Sequence, residues 1–319
     1  MRRGDDMPDA EETARIHRLA KDIGGNLNLA IHRKPETHHF QMQTEFVHLG
    51  FNGKRTATER YGVTLRCDPA VAVKHRLDHY TCGGFCVQLD ADTVVTIPAL
   101  DNWAYDFDPM SGADGQGPVF GVPHDRFEGL TDSGGREFPP DIRYAIYNNF
   151  IDFHALNDVF SRPLQGRGVE QLHRVGDRVV HPAAFVEAPV NLGSAVKPGS
   201  VYRNGEVTLE LKGISIVDGA VCALIEYDSG ESTLMMHMAS ASGPDTWIEG
   251  GSEYKGDIYL DLETGWVRKV TLDEFVETET VVADSTAKVN ACVVRHLWLR
   301  LIGKEAFERE PARTNLRPR

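Results

Sequence analysis

The chain has 319 residues, of which 41% are hydrophobic and 25% charged, and its formal net charge is -13 at pH 7. These are globular proportions, and a chain of this length buries enough apolar surface to fold without disulfides or structural metals. The negative charge repels phosphate backbones, so nucleic acid is not an expected partner. The mean hydropathy of -0.33 and the frequent charges exclude an apolar run of transmembrane length, so we expect a soluble protein with no membrane span.

The start of the chain predicts no secretory signal. Arg2 and Arg3 precede a run of acidic residues, whereas a signal peptide needs an apolar stretch there. The five cysteines are an odd and sparse number, which does not suit a disulfide scaffold. We therefore expect a cytoplasmic protein; a wrongly assigned start would instead allow a periplasmic or extracellular location.

The first predicted element is a helix over residues 10–23, which makes 1–25 an N-terminal helical segment. Asp9 suits the N-cap position, with Glu12 three residues later in the capping-box arrangement. Gly24 and Gly25 end the helix, because glycine favours the backbone geometry beyond a helix C-terminus.

Residues 26–140 form a β-rich region that ends in a long loop. Asn52-Gly53 is a strong signal for a two-residue hairpin turn. Strands are predicted at 46–51, 61–67, 85–89 and 93–97. Residues 108–140 are rich in Gly, Pro, Asp and Ser, which is typical of an extended loop.

The clearest helix prediction covers residues 141–163. Pro139-Pro140 begin it and Arg162-Pro163 end it. Its apolar side chains, several of them aromatic, lie close to helical spacing. We expect this broad apolar face to pack flat against a sheet.

An antiparallel meander is predicted over 164–303, followed by a tail at 304–319 that begins with a short helix. Asp218-Gly219 and Glu263-Thr264-Gly265 are hairpin signals. Strand and helix patterns do not alternate, which disfavours a parallel sheet. The predicted fold is therefore mainly β (α+β): an antiparallel curved sheet or half-barrel meander with a few covering helices. Its segments fit one continuous domain, and the length also allows two.

The densest group of metal-binding residue types is His75, His79, Cys82 and Cys86. These are zinc donors, but their spacing matches no common zinc finger. Residues four apart on a strand share a face yet stand far apart, so the four donors need a turn in order to converge. Two alternatives stay open: buried cysteines near a glycine bulge with surface histidines, or a disulfide to Cys67 in an exported protein.

Other catalytic patterns are weak. Asp152 and His154 are two residues apart on the predicted helix, so they do not face each other, and a histidine beside an aromatic face is usually a packed, hydrogen-bonded residue. The chain has no nucleophile elbow, no phosphate-binding loop and no dinucleotide motif. We expect no cofactor.

Large apolar side chains are the remaining candidates for a binding site. We predict ligand contacts at Phe150, Phe153, Met236 and Trp266. Methionine and aromatic side chains suit flexible apolar ligands, although they more often fill a core.

The hairpin GDIYLDLETGW at 256–266, followed by a long strand, resembles the half-barrel of bacterial lipoprotein-carrier-like proteins and their uncharacterised relatives. Relatives of that type often carry an aromatic-x-Asp-Leu-x-Thr-Gly hairpin. The resemblance implies a curved sheet with helices inside its concave face, where an acyl chain or lipid is held. It covers the C-terminal meander only; this chain shows no leader peptide or lipobox cysteine, and no binding residue can be carried over.

Three hypotheses follow from these patterns. The first is a protein that binds an apolar or amphipathic small molecule, such as a lipid, in the curved sheet. The second is an enzyme whose His-rich site, with or without metal, is assembled from residues 75–125 and uses His75, His79, His124 and Asp125. The third is an interaction module with an exposed sheet edge.

Overall fold

The computed structural model covers most of the chain. The residues it describes are 11, 13–15, 17–18, 26–50, 52–70, 77–90, 92–111, 118–181, 186–187, 195–239, 244–283, 288–309 and 316. The described positions between 11 and 18 are helical, as predicted, and the rest of that helix lies outside the described residues. Among the described helices, none combines the length and the apolar character needed to cross a membrane.

The described strands form one open, curved, antiparallel sheet, which confirms the mainly β prediction. The strands are β1 (His38–Leu49), β2 (Arg55–Asp68), β3 (His79–Leu89), β4 (Val95–Thr96), β5 (Ala104–Asp106), β6 (Arg178–His181), β7 (Val186–Glu187), β8 (Ala195–Val196), β9 (Val201–Arg203), β10 (Val207–Val217), β11 (Ala220–Asp228), β12 (Ser232–Ala239), β13 (Thr246–Asp261), β14 (Val267–Val282) and β15 (Lys288–Ile302). Their main order is β4-β3-β2-β1-β15-β14-β13-β11-β10-β6. Strand β5 pairs with β3, while β12 extends from β13 and pairs with β8 and β9, and β7 pairs with β9.

Several turns lie where the sequence predicts them. The Asn52-Gly53 hairpin joins β1 to β2, with Gly53 at a φ of 71°, and Asp218-Gly219 joins β10 to β11. The strand predicted at 93–97 shortens to β4, because Pro98 begins a 3₁₀ turn directly after Ile97.

One long helix lies on the sheet: α1 (Pro140–His154) continues into a π-helical turn at Ala155–Val159. Phe150 and Phe153 point into the core, and the Phe153 ring meets Phe40 of β1 edge-on at 5.4 Å between centroids. The buried Thr44 hydroxyl donates to the Asn149 side-chain oxygen at 2.6 Å. The helix packs on the sheet as predicted. The short helix α2 (Lys304–Arg309) contacts β1.

Strand β13 passes very close to its neighbours at Gly256. The pairing between β13 and β14 skips Gly256 and Asp257, between the pairs Lys255–Asp273 and Ile258–Val270, without a change of register. A Cβ atom on Gly256 would lie 1.8 Å from the Thr271 carbonyl oxygen, which also accepts the Tyr227 hydroxyl at 2.8 Å. Only glycine fits there, because the contact is with backbone that cannot move aside.

We expect Gly256→Ala to lower the free energy of unfolding by about 3 kcal/mol, because the new methyl group forces two paired strands apart. Chemical denaturation measures the loss. Gly303→Ala is the control, since nothing lies within 4 Å of a Cβ at that exposed position. Equal stability of the two variants would contradict the close approach at Gly256.

Candidate functional site

The π-helical turn after α1 carries a buried hydrogen-bond network. Nδ1 of His154 lies 2.8 Å from a carboxylate oxygen of Asp158, and Nε2 lies 2.7 Å from the Tyr105 hydroxyl. Because a carboxylate only accepts, His154 donates from Nδ1 and accepts the Tyr105 proton at Nε2. The Tyr80 hydroxyl also donates to Asp158, at 2.8 Å. His154 thus pairs with the residue four positions later, not with Asp152.

Two arginines neutralise Asp158 within this network. Arg33 and Arg162 each donate to one of its oxygens, at 2.6 and 2.7 Å. Burial alone would raise the pKa of Asp158, but the charges of the two arginines and the bond from His154 outweigh it and hold that pKa far below its usual range. Burial also lowers the pKa of His154 against the pull of Asp158, so the imidazole is neutral at neutral pH.

The network resembles a catalytic relay in composition, but it is closed to substrates. Tyr80 and His154 are fully buried, and Tyr105 is 7% exposed. The Tyr105 hydroxyl already bonds the imidazole, and the Tyr80 hydroxyl already bonds Asp158. The network links Arg33, in the segment before β1, to β3, β5 and the π-helical turn. We call it the clamp around Asp158, because it holds these segments together.

The predicted metal donors do not converge in the described part of the chain. Gly83 is an extra residue in β3, since β2 steps from the pair Thr64–Gly84 directly to Leu65–Cys82. This bulge turns Cys82 towards the main core and Cys86 towards a separate cluster with Leu316, on the other face. The expectation that the two thiols share a face is wrong for that reason.

Histidines of the predicted site have separate partners. Nδ1 of His79 lies 2.7 Å from Asp106, and Nε2 of His124 lies 3.0 Å from the Tyr147 hydroxyl. Burial lowers the pKa of His124. His75 lies outside the described residues, and within the described ones no three His, Cys, Asp or Glu side chains are grouped to hold a metal.

Three of the four predicted ligand contacts belong to the core. Phe150, Phe153 and Trp266 are fully buried, and the Trp266 indole N–H donates to the Lys34 carbonyl at 2.9 Å. Arg33 covers the Trp266 ring at 4.3 Å. Met236 differs, because it is half-exposed on β12.

Met236 belongs to what we call the distal surface, on the sheet face that carries α1. Directly opposed residues of an antiparallel pair share a face, as do residues two apart on a strand. Arg295 faces α1, so Val293 and its partner Val276 do too, and the same alternation extends across β13 and β12. The distal surface consists of Leu234, Met236, Ile248, Val276 and Val293, all half-exposed and all outside the packed core.

A charged group borders the distal surface on its inner side. Arg295 on β15 bonds Asp152 of α1 and approaches Glu274 of β14 at 2.6 Å, and it covers the Phe46 ring at 5.7 Å. The side chains of Arg295, Asp152 and Glu274 are only 9%, 20% and 10% exposed. Burial raises the pKa of Asp152 to about 6 against the opposing charge of Arg295, and the charge of Glu274 adds to the rise.

Comparison with known proteins assigns no family. No family model and no curated protein matches the chain. Two solved structures have weak likeness: a chain from work on "Asymmetric conductivity of engineered proteins" (9% identity, 84% of this chain and 100% of that chain covered, TM-score 0.17), and an anion-selective porin from Comamonas acidovorans (10% identity, 84% and 99% covered, TM-score 0.17). Likeness this low carries no argument about fold or function.

Sequence reasoning missed Asp158, Tyr105, Tyr80 and both arginines. The available signal was the spacing of His154 and Asp158, since residues four apart share a helix face. The other partners come from β3, β5, the N-terminal segment and the end of the helix. Local spacing does not reveal such distant contacts.

We expect Asp158→Asn to lower the free energy of unfolding by about 3–5 kcal/mol, because it leaves two arginines without their shared buried carboxylate. Asp141→Asn, at the exposed start of α1, is the matched control. Denaturant unfolding at neutral pH compares the variants. A loss no larger than that of the control would show that the clamp contributes little to stability.

The depressed pKa of Asp158 also sets the direction of its pH dependence. Its stabilisation is present above the ordinary pKa of an aspartate and is lost as the pH falls towards the lower folded value. The stability difference between the unaltered protein and Asp158→Asn should therefore shrink on acidification below about pH 4. Unfolding curves at several pH values measure it, and a difference that grows there would contradict the assignment.

Proposed function

We propose that the protein binds an apolar or amphipathic small molecule on the distal surface, in a sheet that curves around α1 as a half-barrel does. The change in burial along the α1 face carries the proposal. Leu272 and Leu297 are buried as an opposed pair, whereas Val276 and Val293, two rows further along the same strands, are half-exposed and still apolar.

The composition of the distal surface suits contact with an apolar ligand. Its five side chains are aliphatic or thioether groups from four neighbouring strands, and none packs against the core cluster. Apolar side chains that stay partly exposed on one face of a sheet favour a ligand or partner, because leaving them in water costs free energy. Met236 suits a ligand of variable shape, since its unbranched side chain adapts to irregular contacts.

The charged group beside the distal surface would let the site take an amphipathic molecule. Arg295, Asp152 and Glu274 mark a polar inner end, and polar groups at one end of an apolar site fix the orientation of a ligand. The resemblance of the 256–266 hairpin to lipoprotein-carrier-like proteins supports the same class of ligand. Phe150, Phe153 and Trp266 would then act beneath the site, by forming the core on which α1 rests.

An enzyme assembled from residues 75–125 is the alternative. The observation that favours it is the contact between His79 and Asp106, a pairing that also orients catalytic or metal-bound histidines. Stoichiometric zinc or iron in the purified protein, lost in His79→Ala, would support this alternative over the binding protein.

We expect Val276→Asp to weaken binding of the neutral fluorescent probe N-phenylnaphthylamine by about tenfold or more, because bound ligand would desolvate the new carboxylate. Phe275→Asp is the matched control: the neighbouring side chain on β14 is 45% exposed on the opposite face. Fluorescence titration gives both affinities.

Native mass spectrometry of protein purified without denaturation is the companion measurement. Added mass that long-chain amphiphiles displace would support the proposal. If the unaltered protein binds no probe, or if Val276→Asp and Phe275→Asp weaken binding equally, the distal surface is not the site.

A further inference from the structure

The charged group next to the distal surface is not neutral. One guanidinium, Arg295, faces two carboxylates, Asp152 and Glu274, and all three side chains are at least four-fifths buried. An excess negative charge in such a place is costly unless a positive group joins it. Burial is the main cause of the raised pKa of Asp152, and the charge of Glu274 adds to it.

Among the described residues, Arg295 is the cation that acts on Asp152, and His48 on β1, opposite Val293, is already paired with Glu59 of β2. Tyr227 of β11, Tyr254 of β13 and Tyr202 of β9 lie on the sheet side, and burial raises the pKa of Tyr227 well above its usual range. The Tyr227 hydroxyl is therefore neutral at physiological pH. Along β1, the ring of Phe46 lies against Arg295.

A carboxylate ligand would meet an unfavourable partner here. Arg295 already faces Asp152 and Glu274, so an incoming carboxylate would be a third negative charge beside one guanidinium. An ammonium group meets the opposite situation, since it compensates the excess charge and can lie against aromatic faces.

Resting on the proposed function, we infer that the ligand is a cationic amphiphile, a long-chain amine or quaternary ammonium compound. Its alkyl chain lies on the distal surface and its positive head group lies beside Asp152 and Glu274. The site thereby selects against fatty acids of the same chain length.

The test ranks three probes of one chain length, dodecylamine, dodecanol and dodecanoate, by displacement of N-phenylnaphthylamine below their micelle concentrations. At about pH 7.5 we expect dodecylamine to bind about tenfold more tightly than dodecanol, and dodecanoate to bind most weakly. Asp152→Asn and Glu274→Gln should each remove most of the amine preference, measured as the ratio of the dodecylamine and dodecanol affinities within the same variant. Glu277→Gln, on the opposite face of β14, is the control and should keep the preference.

A pH titration of the unaltered protein tests the same point without a variant. As the pH falls through about 6, Asp152 takes up a proton and the dodecylamine affinity should fall towards that of dodecanol. Tightest binding of dodecanoate, or an amine preference that survives both variants and acid, would overturn the inference. If dodecanol binds but dodecylamine binds no more tightly, the inference about charge is overturned and the proposed function still stands. If none of the probes binds, both the inference and the proposed function are overturned.

Discussion

The position of α1 on the sheet is the constraint on which the rest of the structure depends. Two ionic groups at the C-terminal end of the helix fix that position: Asp152 with Arg295, and Asp158 with Arg33 and Arg162. They differ in charge balance: Arg162 also bonds Asp78, so two guanidiniums there face two carboxylates, whereas Asp152 and Glu274 share the single guanidinium of Arg295. The first group is therefore satisfied within the protein, and the second is left with an unmet demand for positive charge.

The two groups therefore have different roles although they lie only a few residues apart. The Asp158 group stabilises the fold, and the Asp152 group borders the proposed binding site. The aromatic side chains of α1 pack on the sheet beneath it, where Phe150 and Phe153 are fully buried. Beyond Arg295 the same face of the sheet continues with apolar side chains that the core does not cover, among them Val276 and Val293. The helix thus defines both the packed core and the border of the distal surface.

Much of the fold was predictable because it is encoded locally. Turn pairs such as Asn52-Gly53 and the proline-flanked helix depend on backbone preferences of a few adjacent residues. The charged group beside the distal surface could not be predicted from the sequence. Asp152, Glu274 and Arg295 come from three distant segments and meet only in the folded protein. The extra residue at Gly83 shows the same limit, since one bulge reverses which face Cys86 occupies.

The pairing of strand β13 indicates which part of the sheet can open most easily. One half of it pairs with β11, beside the core, and the other half pairs with β12, whose further partners among the described strands are the short β8 and β9. Half-exposed strands with few core contacts open at a lower free energy than a buried sheet. The part of the sheet formed by β12 and its short partners can therefore open while the clamp around Asp158 stays closed, and in the proposed binding protein this would let the site accept ligands of different chain length and branching.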